Sequence, residues 1–254
     1  EKNPIPGGMM TYGIPSYKLE KDVIAAEIDI IKELGAEIKC GVEVGKDITI
    51  AQLKEQGYKA FYIAIGCQGG RRPGVKNDDA PGTHIAVEYL RHCFEHREDK
   101  FDGSVAVIGG GNVAMDVTRS SVRLGASSVT CVYRRRIADM SALPDEVQGA
   151  IAEGAEIREL SAPVRIEANE ACEAAAWVQP QIIGLADKSG RPRPDAADQP
   201  EERIPADIIV VAIGQGVEIA GFEQAGIPIK RGTLMAESSS QIDNMENVFA
   251  GGDC

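Results

Sequence analysis

A glycine-rich segment near the middle of the chain has the residue types and spacing of a phosphate-binding turn. An apolar run at 105–108 leads into G-x-G-x-x-A at 109–114. In such a turn the first glycine allows the exit from a strand, the second lets backbone approach a pyrophosphate, and the small third residue allows close helix packing. The pattern predicts a dinucleotide site at a helix N-terminus, formed by Gly109, Gly110, Gly111, Asn112 and Val113.

The segments that follow the turn indicate which dinucleotide binds. A helix is predicted to end near Gly125 and a strand to follow at 129–133, which completes a βαβ unit. NAD-binding units place an acid after this second strand, but here Arg134, Arg135 and Arg136 occupy the position. A guanidinium matches a phosphate monoester that a carboxylate would repel. We therefore expect NADPH, with Arg134 and Arg135 on its 2′-phosphate; a solvated basic turn and an NADH-specific relative are the alternatives.

Two other groups of polar residues could bind a metal or transfer protons, but a structural role explains each of them better. His92 and His96 stand at i and i+4 on a predicted helix, yet no third metal ligand is evident, so no metal site is expected. Asp145 and Glu146 follow Pro144 at a predicted helix start, where carboxylates favour the helix dipole. We predict no catalytic side chain.

The composition bounds the class of protein. With 254 residues, 43% hydrophobic residues and a net charge of -12, the chain is typical of an acidic globular protein, and its charge disfavours nucleic-acid and membrane surfaces as partners. No run approaches the roughly 18 apolar residues of a spanning helix, and residues 1–20 lack a signal-peptide pattern. The six cysteines are dispersed, without C-x-x-C spacing, which predicts buried thiols. A cytoplasmic location is expected.

The remaining patterns predict an α/β protein. Before the turn, helices are expected at 18–34, 49–56 and 84–99, with strands at 36–40 and 60–65. After it, a helix at 144–153 and a strand at 155–160 precede three short apolar runs at 164–168, 174–178 and 182–186. These runs predict an antiparallel β-meander over about 163–187, inserted so as to cover one face of a Rossmann-type parallel sheet. The apolar run at 207–213 predicts a buried parallel strand.

Several short motifs resemble those of the glutamate synthase small (beta) subunit-like flavoproteins, which are reductases with two dinucleotide domains. The resemblance is spread over nearly the whole chain. Its elements are PGGMM at 6–10 with YGIP at 12–15, AIG at 64–66, VIGGGNVAMD at 107–116, YRRR at 133–136, AIG at 212–214 and VFAGGD at 248–253.

The resemblance implies a domain plan and further cofactor contacts. Residues 1–66 and 215–254 would be parts of a second, FAD-type α/β domain, and residues 67–214 the NADPH-binding Rossmann domain. Gly214 would lie at the return crossing, and Gly252 and Asp253 in the closing flavin motif. The family's first flavin glycine motif is absent, so we expect a piece of a longer protein, inactive alone and without tight FAD binding.

The resemblance also implies an activity for the longer protein. Hydride would pass from NADPH to FAD and electrons onward to a partner subunit or an iron–sulfur domain. The alternative is a stand-alone regulatory module that senses NADP(H). The two AIG crossings and the terminal GGD motif favour the enzyme, because a sensor does not need the edges of a flavin domain.

Overall fold

The computed structural model describes residues 1–168, 174–186 and 190–254. These residues divide into unit 1, which is Glu1–Gly69 with Gln215–Cys254, and unit 2, which is Gly70–Gly214. The described α-helices are α1 Gly8–Tyr12, α2 Lys21–Glu33, α3 Ile50–Glu55, α4 Ala86–Glu95, α5 Asn112–Leu124, α6 Pro144–Ala152 and α7 Ala220–Gln224. The described strands are β1 Phe61–Ile63, β2 Gly69–Gly70, β3 Thr83–Ile85, β4 Ser104–Ile108, β5 Ser128–Val132, β6 Glu156–Arg158, β7 Ser161–Ala168, β8 Ala174–Ala186, β9 Pro192–Ala196, β10 Glu202–Ala206, β11 Ile208–Val211, β12 Gln215–Gly216, β13 Ile229–Lys230, β14 Thr233–Leu234 and β15 Val248–Ala250.

Unit 2 is built on a five-stranded parallel sheet with the order β3-β11-β4-β5-β6. The predicted parallel pair is confirmed, with Val105 opposite Val129 and Ile108 opposite Val132. The central strand β4 is buried from Val105 onward, which accounts for its continuous apolar sequence. This sheet fixes the end of β4, where the glycine turn begins.

Different layers cover the two faces of the sheet. Val105 and Val107 face a core that includes Tyr89, Met115 and Val147 from the helices α4, α5 and α6. Alternate residues of the same strands face the inserted antiparallel sheet. This second core consists mainly of Ile85, Ala106, Ile108, Val132, Ile209 and Val211 against Ile166, Ala174, Ala176, Val178, Ile204 and Ala206. The predicted fold class, a Rossmann-type sheet with one face covered by an inserted β-meander, is confirmed.

The inserted sheet is larger than the sequence predicts. The runs at 174–178 and 182–186 belong to a single 13-residue strand, β8, which pairs antiparallel with β7, β9 and β10. Strands β9 and β10 extend the sheet to Ala206, beyond the predicted end near 187. Residues 169–173 and 187, which the prediction included, lie outside the described part of the chain, as does Cys172.

One predicted helix start in unit 2 is wrong. The sequence prediction begins a helix at 84, but Thr83–Ile85 is the strand β3, paired with β11, and the helix begins at Ala86. A three-residue edge strand is defined by its partner more than by its own periodicity, so the helical pattern extends over it.

Unit 1 contains α2, which ends near Gly35 as predicted, and β1 paired in parallel with β15. The predicted strand at 36–40 is wrong: the structure gives no strand over those described residues. In α2, the apolar side chains of Val23, Ile30 and Ile31 are each about half exposed. In none of the described ranges is a helix both long and apolar enough to cross a membrane.

Candidate functional site

The turn between β4 and α5 begins with a glycine that the protein's own packing requires. The amide of Gly109 donates to the carbonyl oxygen of Val132 at 3.0 Å. A β-carbon on Gly109 would lie 2.3 Å from the carbonyl oxygen of Ala212. Any side chain here would therefore displace the neighbouring strand end.

The second residue of the turn is held by the chain that follows β5. Gly110 accepts hydrogen bonds from the amides of Ser141 and Ala142, both at 3.1 Å. A β-carbon on Gly110 would lie 2.4 Å from two ring carbons of Tyr133, which is buried. Packing thus explains the glycine at this position as well.

Gly111 differs from its two neighbours, because packing does not require a glycine there. A β-carbon on it would meet only the hydroxyl oxygen of Ser141, at an ordinary 3.5 Å, and its φ is −102°. Helix α5 begins at the next residue, Asn112, whose side-chain oxygen accepts from the amide of Leu143 at 2.9 Å. The open side of Gly111 and the first amides of α5, including that of Val113, form a cradle suited to an anion.

The three consecutive arginines after β5 lie in three different environments. Arg134 is exposed. Arg135 is buried, with 8% of its surface exposed, and its Nε donates to the carbonyl oxygen of Pro192 at 2.8 Å. Arg136 forms two hydrogen bonds with Asp139, at 2.7 and 2.9 Å, which lower the pKa of that carboxyl. Of the two predicted 2′-phosphate residues, Arg134 therefore lies at the surface and Arg135 faces the inserted sheet.

The sequence patterns did not single out Arg191, which the structure brings to the same place. Its Nη2 donates to the Tyr133 hydroxyl at 3.0 Å and to the Asp139 carbonyl oxygen at 2.7 Å. Arg191 and Tyr133 are 58 residues apart in the chain, and only the fold of the inserted sheet brings them together.

The sequence pattern of the pyridine nucleotide-disulphide oxidoreductases matches residues 2–254. The chain belongs to this family. A relative from Moorella thermoacetica, the NADP(+)-dependent formate dehydrogenase subunit beta, is 39% identical over 257 residues, covering 100% of this chain and 36% of that protein. The NADPH glutamate synthase small chain of Halomonas elongata is 36% identical over 269 residues, covering 100% of this chain and 56% of that protein. The chain thus spans between a third and three fifths of these two relatives, and the resemblance to the glutamate synthase small subunit is confirmed.

Solved oxidoreductase structures share the fold. Mycobacterium tuberculosis FprA in complex with NADPH superposes with a TM-score of 0.77 at 20% identity, covering 99% of this chain and 70% of that one. Thioredoxin reductase of T. acidophilum gives a TM-score of 0.68 at 16% identity, with 98% and 79% covered. These similarities agree with the parallel-sheet architecture of this oxidoreductase family member.

The remaining predicted cofactor residues are Gly214 in unit 2 and the pair Gly252 and Asp253 in unit 1. Gly214, at the end of unit 2, has φ 133° and its carbonyl oxygen accepts from the amide of Arg71 at 3.2 Å. In unit 1, Gly252 has φ 80° with open space where a β-carbon would be, and Asp253 is exposed. Both follow β15, so the closing motif presents its backbone and its carboxylate at the end of a parallel strand.

The histidine pair, Glu146 and Cys131 are in surroundings that give no sign of a catalytic or metal-binding role. The rings of His92 and His96 are 4.4 Å apart, and no set of three or more His, Cys, Asp or Glu side chains suited to a metal occurs in the described residues. Glu146 pairs with Arg119 at 2.7 Å, which ties α6 to α5. Burial raises the pKa of the Cys131 thiol to about 12, so this cysteine is unsuited to nucleophilic or redox work.

Proposed function

We propose that this chain is the NADPH-binding part of a flavin-dependent oxidoreductase. The observation that carries the proposal is the glycine turn, in which packing accounts for Gly109 and Gly110 but not for Gly111. Gly111 lies beside the first amides of a 13-residue helix, and packing within the protein does not require a glycine there. The close approach of a pyrophosphate would explain why this position has no side chain. In the proposal, the backbone of Gly109–Val113 binds this group.

The proposed specificity comes from the arginines at the end of β5. Arg134 is exposed, and it directly follows Tyr133, whose buried ring lies against Gly110 of the turn. We assign to Arg134 the main contact with the 2′-phosphate of NADPH, with Arg135 adding its charge to the same loop. A guanidinium can bind a phosphate through two parallel hydrogen bonds, which supports a preference for NADPH over NADH.

The proposal extends to a flavin and to an electron acceptor. Bound NADPH supplies a hydride that a flavin can accept. We propose that Gly252 and Asp253 contact FAD after β15, and that electrons leave through a partner subunit or an iron–sulfur domain. The names of two relatives, a formate dehydrogenase subunit and a glutamate synthase small chain, support an assembly with other subunits.

The five described cysteines are free thiols, which agrees with a proposed cytoplasmic location.

The chain's own role in this chemistry is to bind and orient. Hydride transfer between a nicotinamide and a flavin depends on proximity and stacking more than on an acid or a base. We therefore propose no catalytic side chain. The contribution of the turn and the arginines is to hold one end of the dinucleotide in a fixed place.

Titration calorimetry with NADPH and with NADH tests the proposal. Charge-assisted hydrogen bonds at a site near solvent predict an NADPH preference of roughly ten to several hundred fold. The preference is expected to shrink as salt is raised, since screening weakens exposed charge pairs. Equal affinities for the two cofactors would overturn the assignment of the arginines, and no binding of either would overturn the dinucleotide site.

A further inference from the structure

Arg191, the residue just before β9 of the inserted sheet, spans the loop that carries the three arginines. We call Tyr133–Asp139 the arginine loop. The Nη2 atom of Arg191 donates to the hydroxyl of Tyr133 at 3.0 Å and to the carbonyl oxygen of Asp139 at 2.7 Å, so it contacts the first and last residues of the loop. The Tyr133 hydroxyl itself donates to the same Asp139 carbonyl at 3.0 Å. One guanidinium therefore joins both ends of the loop.

A second contact ties the middle of the loop to the same part of the insertion. The Nε atom of Arg135 donates to the carbonyl oxygen of Pro192 at 2.8 Å. Arg191 and Pro192 are adjacent, and Pro192 begins β9 of the inserted sheet. The arginine loop is thus held at its two ends and at Arg135 by one dipeptide, which leaves Arg134 as an exposed residue on a fixed backbone.

We propose that Arg191 is a positioning residue for NADPH specificity, which acts by fixing the backbone from which Arg134 reaches the 2′-phosphate. The inference rests on the proposed function. Ordering a long side chain and its loop on binding costs free energy, and a loop that is already held avoids this cost. The inserted sheet therefore has a role in cofactor choice as well as in covering the parallel sheet.

The glycine turn is held by contacts that do not involve Arg191. The amide of Gly109 bonds to Val132, and the carbonyl of Gly110 accepts from Ser141 and Ala142. The ring of Tyr133 is buried against Gly110 whether or not its hydroxyl has a partner. Loss of Arg191 is therefore expected to spare the pyrophosphate site, which NADPH and NADH share.

The test compares Arg191→Met with Arg193→Met. Methionine keeps an apolar stem of similar length and removes the donors. Arg193 lies two residues further on, with its side chain 73% exposed and paired with Asp195, so it is a matched control. We expect Arg191→Met to weaken NADPH binding roughly three- to tenfold, the cost of ordering a side chain and its loop. NADH binding should change by less than about twofold, and Arg193→Met should change neither.

Two smaller nucleotides, one with a 2′-phosphate and one without it, test whether the effect of Arg191 is confined to the 2′-phosphate. Arg191→Met is expected to weaken 2′,5′-ADP by the same factor as NADPH and to leave 5′-AMP unchanged. Arg191→Lys, which keeps a charge but lacks the planar fork, should lose less. If Arg191→Met does not fold, Arg191→Lys and Tyr133→Phe take its place, and each is expected to lower the NADPH affinity and to leave the NADH affinity unchanged.

The outcomes distinguish this inference from the proposed function. Unchanged NADPH affinity in all Arg191 variants would overturn the inference, and so would equal losses for NADPH and NADH, which indicate a purely structural role. A wild-type protein that does not prefer NADPH would instead overturn the proposed function.

Discussion

The ring of Tyr133 occupies the space that a β-carbon on Gly110 would need, with two ring carbons 2.4 Å from that position. The ring is buried and its hydroxyl is bound, so it has little room to move. We expect Gly110→Ala to lower the free energy of unfolding by about 1 to 3 kcal/mol, as overpacking of a core does. Urea unfolding of the variant and the wild type measures the difference. A loss below about 0.5 kcal/mol would show that the ring does not fix the turn.

Gly111→Ala makes the same chemical change one residue later, but it is expected to affect cofactor binding and to leave stability nearly unchanged. The added methyl would touch only Ser141, at an ordinary contact distance. The loss of unfolding free energy should therefore stay below about 1 kcal/mol, the cost of replacing an N-cap glycine by alanine. The methyl would stand where the pyrophosphate approaches, and we expect NADPH and NADH to lose affinity together, by about tenfold or more. Titration of both cofactors checks this. Unchanged binding by a folded Gly111→Ala protein would place the pyrophosphate elsewhere.

An ion-pair network between α5 and α6 predicts a pH dependence of stability. Partial burial disfavours the charged form of Glu153, but hydrogen bonds from Arg123 and Arg119 outweigh it and lower the pKa of that carboxyl below its ordinary 4.5. Because the folded pKa is depressed, the stabilisation is present above about pH 4.5 and is lost as the pH falls through the folded pKa.

Glu153→Gln isolates this effect. At pH 7 the variant should be about 1 kcal/mol less stable than the wild type, a value typical of a partly exposed ion-pair network. The difference should shrink as the pH is lowered below 4.5, because the wild-type carboxyl is then protonated as well. Unfolding midpoints in urea across this pH range give the comparison. A difference that is constant with pH would indicate lost packing instead.

Local patterns were sufficient to predict the strand, turn and helix of the candidate site. The apolar strand β4, the glycines and the helix end near Gly125 are all determined within a short stretch of chain, and the structure has each of them where the sequence predicts it. The capping box of Thr49 and Gln52 at the start of α3 is equally local. Signals of this kind depend on neighbours in the sequence and therefore can be read without the fold.

The features that the sequence did not predict depend on distant partners. Strand β9 begins with Pro192 and carries charged residues, so only its pairing with β8 makes it a strand. Arg134 and Arg135 are chemically identical, and the orientation of Arg135 toward Pro192 follows from a contact 57 residues away. No periodicity of the arginine loop could distinguish the two side chains. The role of each arginine therefore stays a prediction for binding experiments.

Arg134→Ala tests whether Arg134 recognises the 2′-phosphate of NADPH. Titration calorimetry would compare the wild type and the variant with both cofactors. We predict that Arg134→Ala weakens NADPH binding by about ten- to thirtyfold, the loss of one charge-assisted contact near solvent, while NADH affinity stays within about twofold. The expected loss should fall as ionic strength rises. Equal losses for the two cofactors, or an unchanged NADPH affinity, would show that Arg134 does not recognise the 2′-phosphate and that the arginines form only a solvated basic turn.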